Sequence, residues 1–302
     1  MINDLKKTCC DKKSFFSLKI YEMLKALLLT VLASAFLNPV FPVLQRRVYN
    51  GQGAKKNEFP YMVNVLPPSV RCGGVLLTNK FVLTAAHCLM DVIEGQNITL
   101  VLGERNYYVD KKDQNAVVLK ANMKFWIHEN FSMPSAVNDV AIIQLPRPID
   151  LSEKIKAIEM STDKEIDGDQ REVVAITMGF GATEHTDPAA KLQMATMKLI
   201  PISDCLKYQP HFIENITVNH ICAIGRHTSE GHAVGPCDGD SGSPLVLTQT
   251  GKLIGITSYV KDAEDGQPLA YNDCDNSKAP SVYVRVASYL DWISEKTGIR
   301  LD

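Results

Sequence analysis

The stretch Cys237–Pro244 carries the residues best suited to chemistry. Its serine, Ser241, lies between Asp240 and Gly242, and Gly239 precedes that acid. Glycine permits backbone angles and close approaches that a side chain would prevent. A serine on such a turn, beside free backbone N–H groups, suits a nucleophile with an adjoining oxyanion site. The same residues also suit an ordinary turn, so the chemical interpretation requires a base and an acid elsewhere.

Two other segments supply that base and acid. His87 follows the apolar run Phe81–Leu83, so it lies where a predicted strand ends. Asp139 directly precedes the apolar run Val140–Ile143, where its carboxylate can be buried against an imidazole. A single histidine or aspartate in such a place is usually core filler or a cap. Three such contexts in the order His, Asp, Ser are far more specific and predict a catalytic set.

Together these segments resemble the chymotrypsin/trypsin-like serine proteases, over about Val48–Gly298. The resemblance implies a secreted serine endopeptidase with Ser241 as nucleophile, His87 as general base and Asp139 as the orienting acid. It implies that the backbone N–H groups of Gly239 and Ser241 bind the oxyanion. It implies protein or peptide substrates and an acyl-enzyme, with no metal and no organic cofactor.

The main rival is the nucleophile elbow of the α/β-hydrolases. That elbow needs Gly-x-Ser-x-Gly on a strand-to-helix turn, with the acid and the histidine later in the chain. Here Ser243 takes the place of the second glycine, and Pro244–Leu247 continue as an apolar strand. Both partners also precede the serine, so this rival is excluded.

The fold class predicted for the body is all-β. Short apolar runs such as Ile98–Leu102 and Leu253–Tyr259 alternate with turns rich in Gly, Pro, Asn and Asp. The family implies two six-stranded antiparallel β-barrels, about 48–155 and 156–285, with the active site in the cleft and the junction near 148–160. Apolar residues spaced at i, i+3, i+4 and i+7 predict a C-terminal α-helix over 286–298, and Gly298 ends it.

Charge is distributed unevenly along the 302 residues. Residues 1–47 carry eight basic and three acidic side chains, which is a net charge of +5. Because the net charge of the whole chain is −2, the rest of the chain has a net charge of −7. An acidic body gives no support for nucleic-acid binding, which requires a basic footprint.

The basic N-terminal segment predicts a signal peptide over 1–35. Leu24–Leu37 is apolar apart from Lys25, and Ala33-Ser34-Ala35 is a small-x-small cleavage pattern. Translation from Met23 would give a compact signal. A retained membrane anchor is the alternative, but the apolar core is shorter than the roughly 20 residues of a span. We therefore expect a secreted, extracellular protein with no membrane attachment after signal removal.

Eight cysteines fit that compartment. Two of them, Cys9 and Cys10, lie in the predicted signal, and spacing alone leaves the pairing of the other six open. The family resemblance implies the pairs Cys72–Cys88, Cys205–Cys222 and Cys237–Cys274. Asn-x-Ser/Thr triplets compatible with glycosylation begin at Asn97, Asn130 and Asn215.

Asp240 suggests a switch, since a buried carboxylate in this turn needs a partner. Arg46-Arg47-Val48 resembles the activation site of the family, although two adjacent arginines also suit an ordinary surface. Cleavage after Arg47 by a trypsin-like protease would free the α-amine of Val48 to pair with Asp240. The protein is then expected to be a zymogen with propeptide 36–47.

The family resemblance also places the specificity pocket at Gly235, Ser258, Val260 and Ser281. Gly235 stands where trypsin-like members carry an acid, so a preference for Lys or Arg is not expected. Val260 narrows the entrance, and the expected preference is for aliphatic or medium-sized apolar side chains, with aromatic ones as the runner-up.

Two alternatives concern other classes of function. A catalytically inactive homologue would act as a binding or regulatory protein, but such proteins usually lose a triad residue, and all three are present. Metal binding is the other. The histidines at 211, 220, 227 and 232 fit no i, i+4 pair, and Glu104 lacks the further carboxylates that a calcium loop needs. We expect a monomer whose protein partners are substrates, the activating protease and protease inhibitors.

Overall fold

The computed structural model describes residues 48–108, 116–133, 135–162, 166, 172–183, 186, 188–208, 216–226, 234–259, 274 and 280–300. The strands, numbered in chain order, are β1 (Gln52–Gly53), β2 (Met62–Leu66), β3 (Cys72–Thr78), β4 (Phe81–Thr84), β5 (Ile98–Leu102), β6 (Val117–Ala121), β7 (Phe125–Ile127), β8 (Ala141–Gln144), β9 (Val174–Gly179), β10 (Gln193–Ile200), β11 (His220–Gly225), β12 (Pro244–Leu247), β13 (Leu253–Tyr259) and β14 (Ser281–Arg285). The helices are α1 (Ile202–Tyr208) and α2 (Leu290–Thr297), with 3₁₀ turns at Ala86–Cys88 and Val286–Tyr289. The predicted signal and propeptide segments, Arg47 and Val260 lie outside the described residues.

The first sheet is antiparallel and has the strand order β6-β5-β2-β3-β4-β8-β7. Its two outer strands, β6 and β7, are consecutive in the chain and separated only by residues 122–124. One stretch of chain therefore pairs with β5 and then with β8, which brings the two edges of the sheet together. One strand of the barrel is thus interrupted at residues 122–124 and counts as two, β6 and β7. This explains why the sheet has seven strands rather than the six predicted for the barrel.

The second sheet closes on itself. Its order is β1-β10-β11-β14-β13-β12-β9, and β9 also pairs with β10 over six residue pairs. Six strands thus form a complete antiparallel barrel, and the two-residue strand β1 is attached to β10. Along β10, Ala195, Met197 and Leu199 are buried while Thr196 and Lys198 are exposed, which is the alternation of a strand with one face in a core.

Each barrel has its own apolar core, and a third cluster joins them. In β3, Leu76 packs inside the first barrel with Val63 and Val82. Its neighbours Val75 and Leu77 point the other way and pack with residues of both sheets. Because successive side chains of a strand face opposite sides, a strand covered on both sides is apolar throughout. This is why the strands of the interface read as uninterrupted apolar runs.

The chain crosses between the sheets just after Ile158. The N–H of Ile158 donates to Leu76 O of the first sheet (3.0 Å), whereas the N–H of Leu253 donates to Glu159 O (2.8 Å). At the other end, residues 48–54 differ from the predicted division. The division predicted from the sequence places these residues in the first barrel, but Gln52 and Gly53 pair with β10 of the second barrel.

The C-terminal helix begins later than predicted. Residues 286–289 form the 3₁₀ turn, α2 follows, and Gly298 ends the helix in the left-handed conformation with φ 74°. Sequence reasoning missed α1, which has only seven residues and therefore no extended apolar period. No helix among the described residues has the length and hydrophobicity needed to cross a membrane.

Replacing Ile293 of α2 with alanine is expected to lower the free energy of unfolding by about 2–5 kcal/mol. Its side chain is fully buried in the cluster that joins the barrels, so its removal leaves a cavity. Urea unfolding followed by fluorescence measures the change. The neighbouring exposed residue Glu295 is the matched control, since Glu295→Ala should change stability by no more than about 0.5 kcal/mol. Equal effects of the two substitutions would show that α2 is not packed as described.

Candidate active site

His87 and Asp139 are joined by two hydrogen bonds. His87 lies in the 3₁₀ turn that follows β4, and Asp139 lies just before β8, the neighbour of β4. The backbone N–H of His87 donates to Asp139 Oδ1 (2.9 Å), and Nδ1 of its ring lies 2.8 Å from Oδ2. The pairing of the two strands therefore fixes both the position of the imidazole and its orientation.

Asp139 is fully buried and has a third donor that sequence reasoning missed. The hydroxyl of Ser258, a residue predicted to form a wall of the specificity pocket, donates a hydrogen bond to Asp139 Oδ2 (2.6 Å). The two residues are 119 positions apart in different sheets, so no local pattern could show this contact. Three donors satisfy a carboxylate that would otherwise be costly to bury.

Burial and charge act in opposite directions on His87. Desolvation lowers the pKa of the imidazole, whereas the charge of Asp139 and its hydrogen bond raise it, and the net result is a pKa above the ordinary value of 6.5.

The loop that carries Asp139 is itself held in place, because Tyr289 Oη donates to Asn138 Oδ1 (2.9 Å) and Asn138 Nδ2 donates to Asn130 O (2.9 Å).

Ser241 lies on a tight turn between two glycines in the left-handed region, Gly239 with φ 94° and Gly242 with φ 78°. The turn is anchored from both barrels, since Gly73 N–H donates to Ser241 O (2.7 Å) and Gly242 N–H to Thr257 O (2.7 Å). The backbone N–H groups of Gly239 and Ser241 bond no other described residue. Two N–H groups are therefore available beside the serine.

His87, Gly239 and Ser241 line one cavity of about 650 Å³. In the part of the chain that the structure describes, no hydrogen bond joins His87 Nε2 to Ser241 Oγ. Such bonds are often long in unliganded proteins and shorten when substrate binds. The structure thus brings the predicted base, nucleophile and oxyanion donors to one space.

The three disulfides implied by the resemblance are present: Cys72–Cys88, Cys205–Cys222 and Cys237–Cys274. The first includes the residue after His87, and its Cys88 Sγ lies 3.8 Å from Ser241 O. Cys72, His87 and Cys88 are close enough to suggest a metal site, but their two sulfurs are bonded to each other and are not thiolate ligands.

Asp240 is wholly buried behind the turn. Its Oδ1 accepts from Gly181 N–H (2.7 Å) and its Oδ2 from Cys237 N–H (3.0 Å). Burial raises the pKa of the carboxyl to about 7, although these two bonds oppose the rise. A Cβ on Gly181 would lie only 2.5 Å from Asp240 Cγ, so glycine is required there.

Val48 is also buried, with 1% of its surface exposed, in the core of the second barrel. It packs in the same cluster as Tyr283. The next residue, Tyr49, accepts a hydrogen bond from Gly235 N–H (3.2 Å). The proposed new N-terminus is thus buried in the second barrel, and its proposed acceptor Asp240 lies on the turn before β12 of the same barrel.

Gly235 and Ser281 of the predicted pocket face each other. A Cβ on Gly235 would lie 3.5 Å from Ser281 Oγ and 3.8 Å from Met197 Cε. Neither of the two pocket residues is charged, and Met197, whose Cε lies near Gly235, is fully buried in the core of the second barrel. Val260 lies outside the described residues.

The remaining candidates have local roles. His220 is buried, and its Nδ1 accepts from Thr217 N–H (3.0 Å). Glu104 Oε1 accepts from the N–H groups of the next two residues, at 2.6 and 2.8 Å. Asn97 and Asn130 are exposed, as a glycosylation site must be. The other three clustered histidines and Asn215 lie outside the described residues.

Comparison with known proteins agrees with this geometry. The family model described as Trypsin matches residues 48–293, which include all three candidate catalytic residues. A collagenase from Hypoderma lineatum is 32% identical over 275 residues, covering 88% of this chain and 94% of that protein. Chymotrypsin-C from Mus musculus is 31% identical over 275 residues, covering 87% and 94%. The solved structure of HL collagenase matches with a TM-score of 0.69 at 31% identity, covering 84% of this chain and 100% of that one. The predicted two-barrel fold is confirmed.

Proposed function

Since the chain belongs to the trypsin family of serine proteases and is a serine endopeptidase, we propose that Ser241 is its nucleophile, His87 its general base and Asp139 the acid that orients the base. The observation that carries the proposal is the pair of hydrogen bonds between His87 and Asp139, beside a cavity that Ser241 also lines. No other catalytic group is required for acyl transfer.

The reaction follows from these positions. His87 Nε2 takes the proton of Ser241 Oγ as that oxygen attacks the peptide carbonyl carbon. The oxyanion accepts hydrogen bonds from the N–H groups of Gly239 and Ser241, each worth about 3–4 kcal/mol in the barrier. His87 then gives its proton to the leaving amine, and an acyl-enzyme remains. Water, deprotonated by His87, attacks that ester and frees Ser241.

The pH profile of kcat/KM is expected to have an acid limb centred above about 6.5, the ordinary histidine value. The base must be neutral, so activity falls as pH drops through the pKa of His87, which Asp139 holds above that value. Initial rates on a peptide amide between about pH 5 and 9 measure the midpoint. Asp139→Asn should move this midpoint to lower pH, because it removes the charge that raises the pKa. A wild-type midpoint below 6.5 would contradict this assignment.

The enzyme is made as a zymogen in this proposal. Cleavage after Arg47 gives Val48 an α-ammonium group, whose reference pKa is near 8. Asp240, buried and with two hydrogen bonds to its carboxylate from the described residues, gains a counter-charge when that ammonium binds. The pair stabilises the turn that presents Gly239 and Ser241. The buried side chain of Val48, in the cluster that contains Tyr283, supports this arrangement.

The proposed substrates are proteins or peptides with an apolar side chain on the acyl side of the cleaved bond. Gly235 and Ser281 place no charge in the proposed pocket. Aliphatic or medium-sized side chains are favoured, and aromatic ones are the runner-up.

The proposed setting is extracellular, after removal of segment 1–35, and the proposed partners are an activating trypsin-like protease and protein inhibitors. The enzyme is proposed to act as a monomer.

A peptide-library cleavage profile of protein cleaved at Arg47 tests the proposed activity and preference together. We expect cleavage after apolar residues, and none by the Ser241→Ala protein prepared in parallel. A dominant preference for Lys or Arg would overturn the pocket assignment. Absence of cleavage by both proteins would favour the second candidate, a non-catalytic homologue that binds or regulates other proteins.

A further inference from the structure

Ser243, two residues after the proposed nucleophile, has a buried hydroxyl with no hydrogen-bond partner among the described residues. Its backbone is held on both sides, since its N–H donates to Asp240 O (3.0 Å) and its O accepts from Thr257 N–H (2.8 Å). Burying a hydroxyl without a partner costs free energy. An acceptor for this hydroxyl is therefore expected in another state of the protein, and the residues around the hydroxyl indicate which group that acceptor is.

Two glycines leave the space that this side chain occupies. A Cβ on Gly73, in the first sheet, would lie 2.0 Å from Ser243 Oγ. A Cβ on Gly179, in the second sheet, would lie 3.0 Å from the same oxygen and 2.0 Å from Asp240 Oδ1. The hydroxyl and the carboxylate thus both border the space beside Gly179, between the two sheets.

Asp240 can accept more hydrogen bonds than it receives. An ionised carboxylate has about four acceptor positions, and only the N–H groups of Gly181 and Cys237 fill them in the described structure. Because the side chain is fully buried, a donor on a neighbouring buried residue can bind it without competition from bulk solvent. The carbonyl of Gly73, the glycine that faces the hydroxyl, already accepts from Thr84 Oγ1 (2.7 Å).

From this juxtaposition we propose that Ser243 is a positioning residue, whose hydroxyl donates to Asp240 Oδ1 in the activated enzyme. The inference rests on the proposed pairing of Asp240 with the α-ammonium of Val48. The ammonium makes the ionised carboxylate the stable form, and the hydroxyl then has a charged acceptor beside it. The additional bond holds the turn that presents the N–H groups of Gly239 and Ser241, so it acts on the transition state through Asp240.

The test is a double-mutant cycle on protein cleaved at Arg47, with the variants Ser243→Ala, Asp240→Asn and the double variant. We expect Ser243→Ala to lower kcat on a peptide amide about 10- to 100-fold with KM within about twofold, as for the loss of one hydrogen bond to a charged group. In the Asp240→Asn background, the same substitution should have no further effect. Where turnover is too slow to follow, the rate constant for labelling of Ser241 by a fluorophosphonate gives the same comparison.

Ser161→Ala is the matched control, since it removes another buried serine hydroxyl, one that donates to Thr162 O (2.8 Å). It should leave kcat unchanged. Equal losses from Ser243→Ala in both backgrounds would overturn the inference, because they would indicate a purely structural effect. So would an unchanged kcat in the single variant. An inactive wild-type protein that begins at Val48 would instead contradict the proposed function itself.

Discussion

Replacing His87 with alanine is expected to lower kcat for peptide hydrolysis about 10⁶-fold. Without the imidazole, nothing accepts the proton of Ser241 or returns it to the leaving amine. The two hydrogen bonds to the buried Asp139 show that this ring is held in one orientation. Steady-state kinetics on activated protein measure the loss of kcat. The concentration of active sites is determined for the wild type.

The double variant His87→Ala/Ser241→Ala sharpens this prediction. Because the two residues act as one unit, removing both should cost no more than removing one. Losses that multiply would contradict a shared role. Asp139→Asn should cost about 10⁴-fold, since it leaves the imidazole in place but favours the wrong tautomer.

Blocking the proposed switch is expected to have the second largest effect. Arg47→Gln should leave the precursor uncut at the Arg47–Val48 bond after treatment with trypsin, and therefore inactive. Asp240→Asn should allow cleavage and yet lower kcat about 10²- to 4 × 10³-fold. That range corresponds to the 3–5 kcal/mol expected when one partner of a buried ion pair is removed. N-terminal sequencing and initial rates on the same samples separate the two outcomes.

Arg46→Gln is the matched control for this experiment. The residue is also basic and lies next to Arg47, but the bond that follows it does not precede Val48. The Arg46→Gln protein should therefore be cut and activated like the wild type. Full activity of the uncut Arg47→Gln protein would contradict the switch.

The features that sequence predicted well are those determined by short segments. Ile98–Leu102 and Leu253–Tyr259 are strands with the predicted bounds because β-branched and apolar residues fill both faces there. Gly298 ends the last helix because only a residue that tolerates positive φ suits that position. The contexts of His87, Asp139 and Ser241 were also local, so these residues could be found before their geometry was known.

The features that sequence missed depend on pairing between distant segments. The hydroxyl of Ser258, a residue that the resemblance places in the pocket wall, donates a hydrogen bond to Asp139 from a distant segment of the chain. Residues 52–53 pair with β10 because a two-residue strand carries no pattern of its own. In the sequence, Ser243 stands out only because it replaces a glycine. Its position between Gly73, Gly179 and Asp240 is a property of the packed barrels.

In the proposed mechanism, cleavage before Val48 turns Ser241 into a reactive nucleophile. Mass spectrometry of protein exposed to a fluorophosphonate, before and after treatment with trypsin, measures this change. We expect one adduct on Ser241, formed rapidly in chains that begin at Val48 and slowly in the uncut precursor. Chains verified to begin at Val48 that carry no adduct on Ser241 would contradict it.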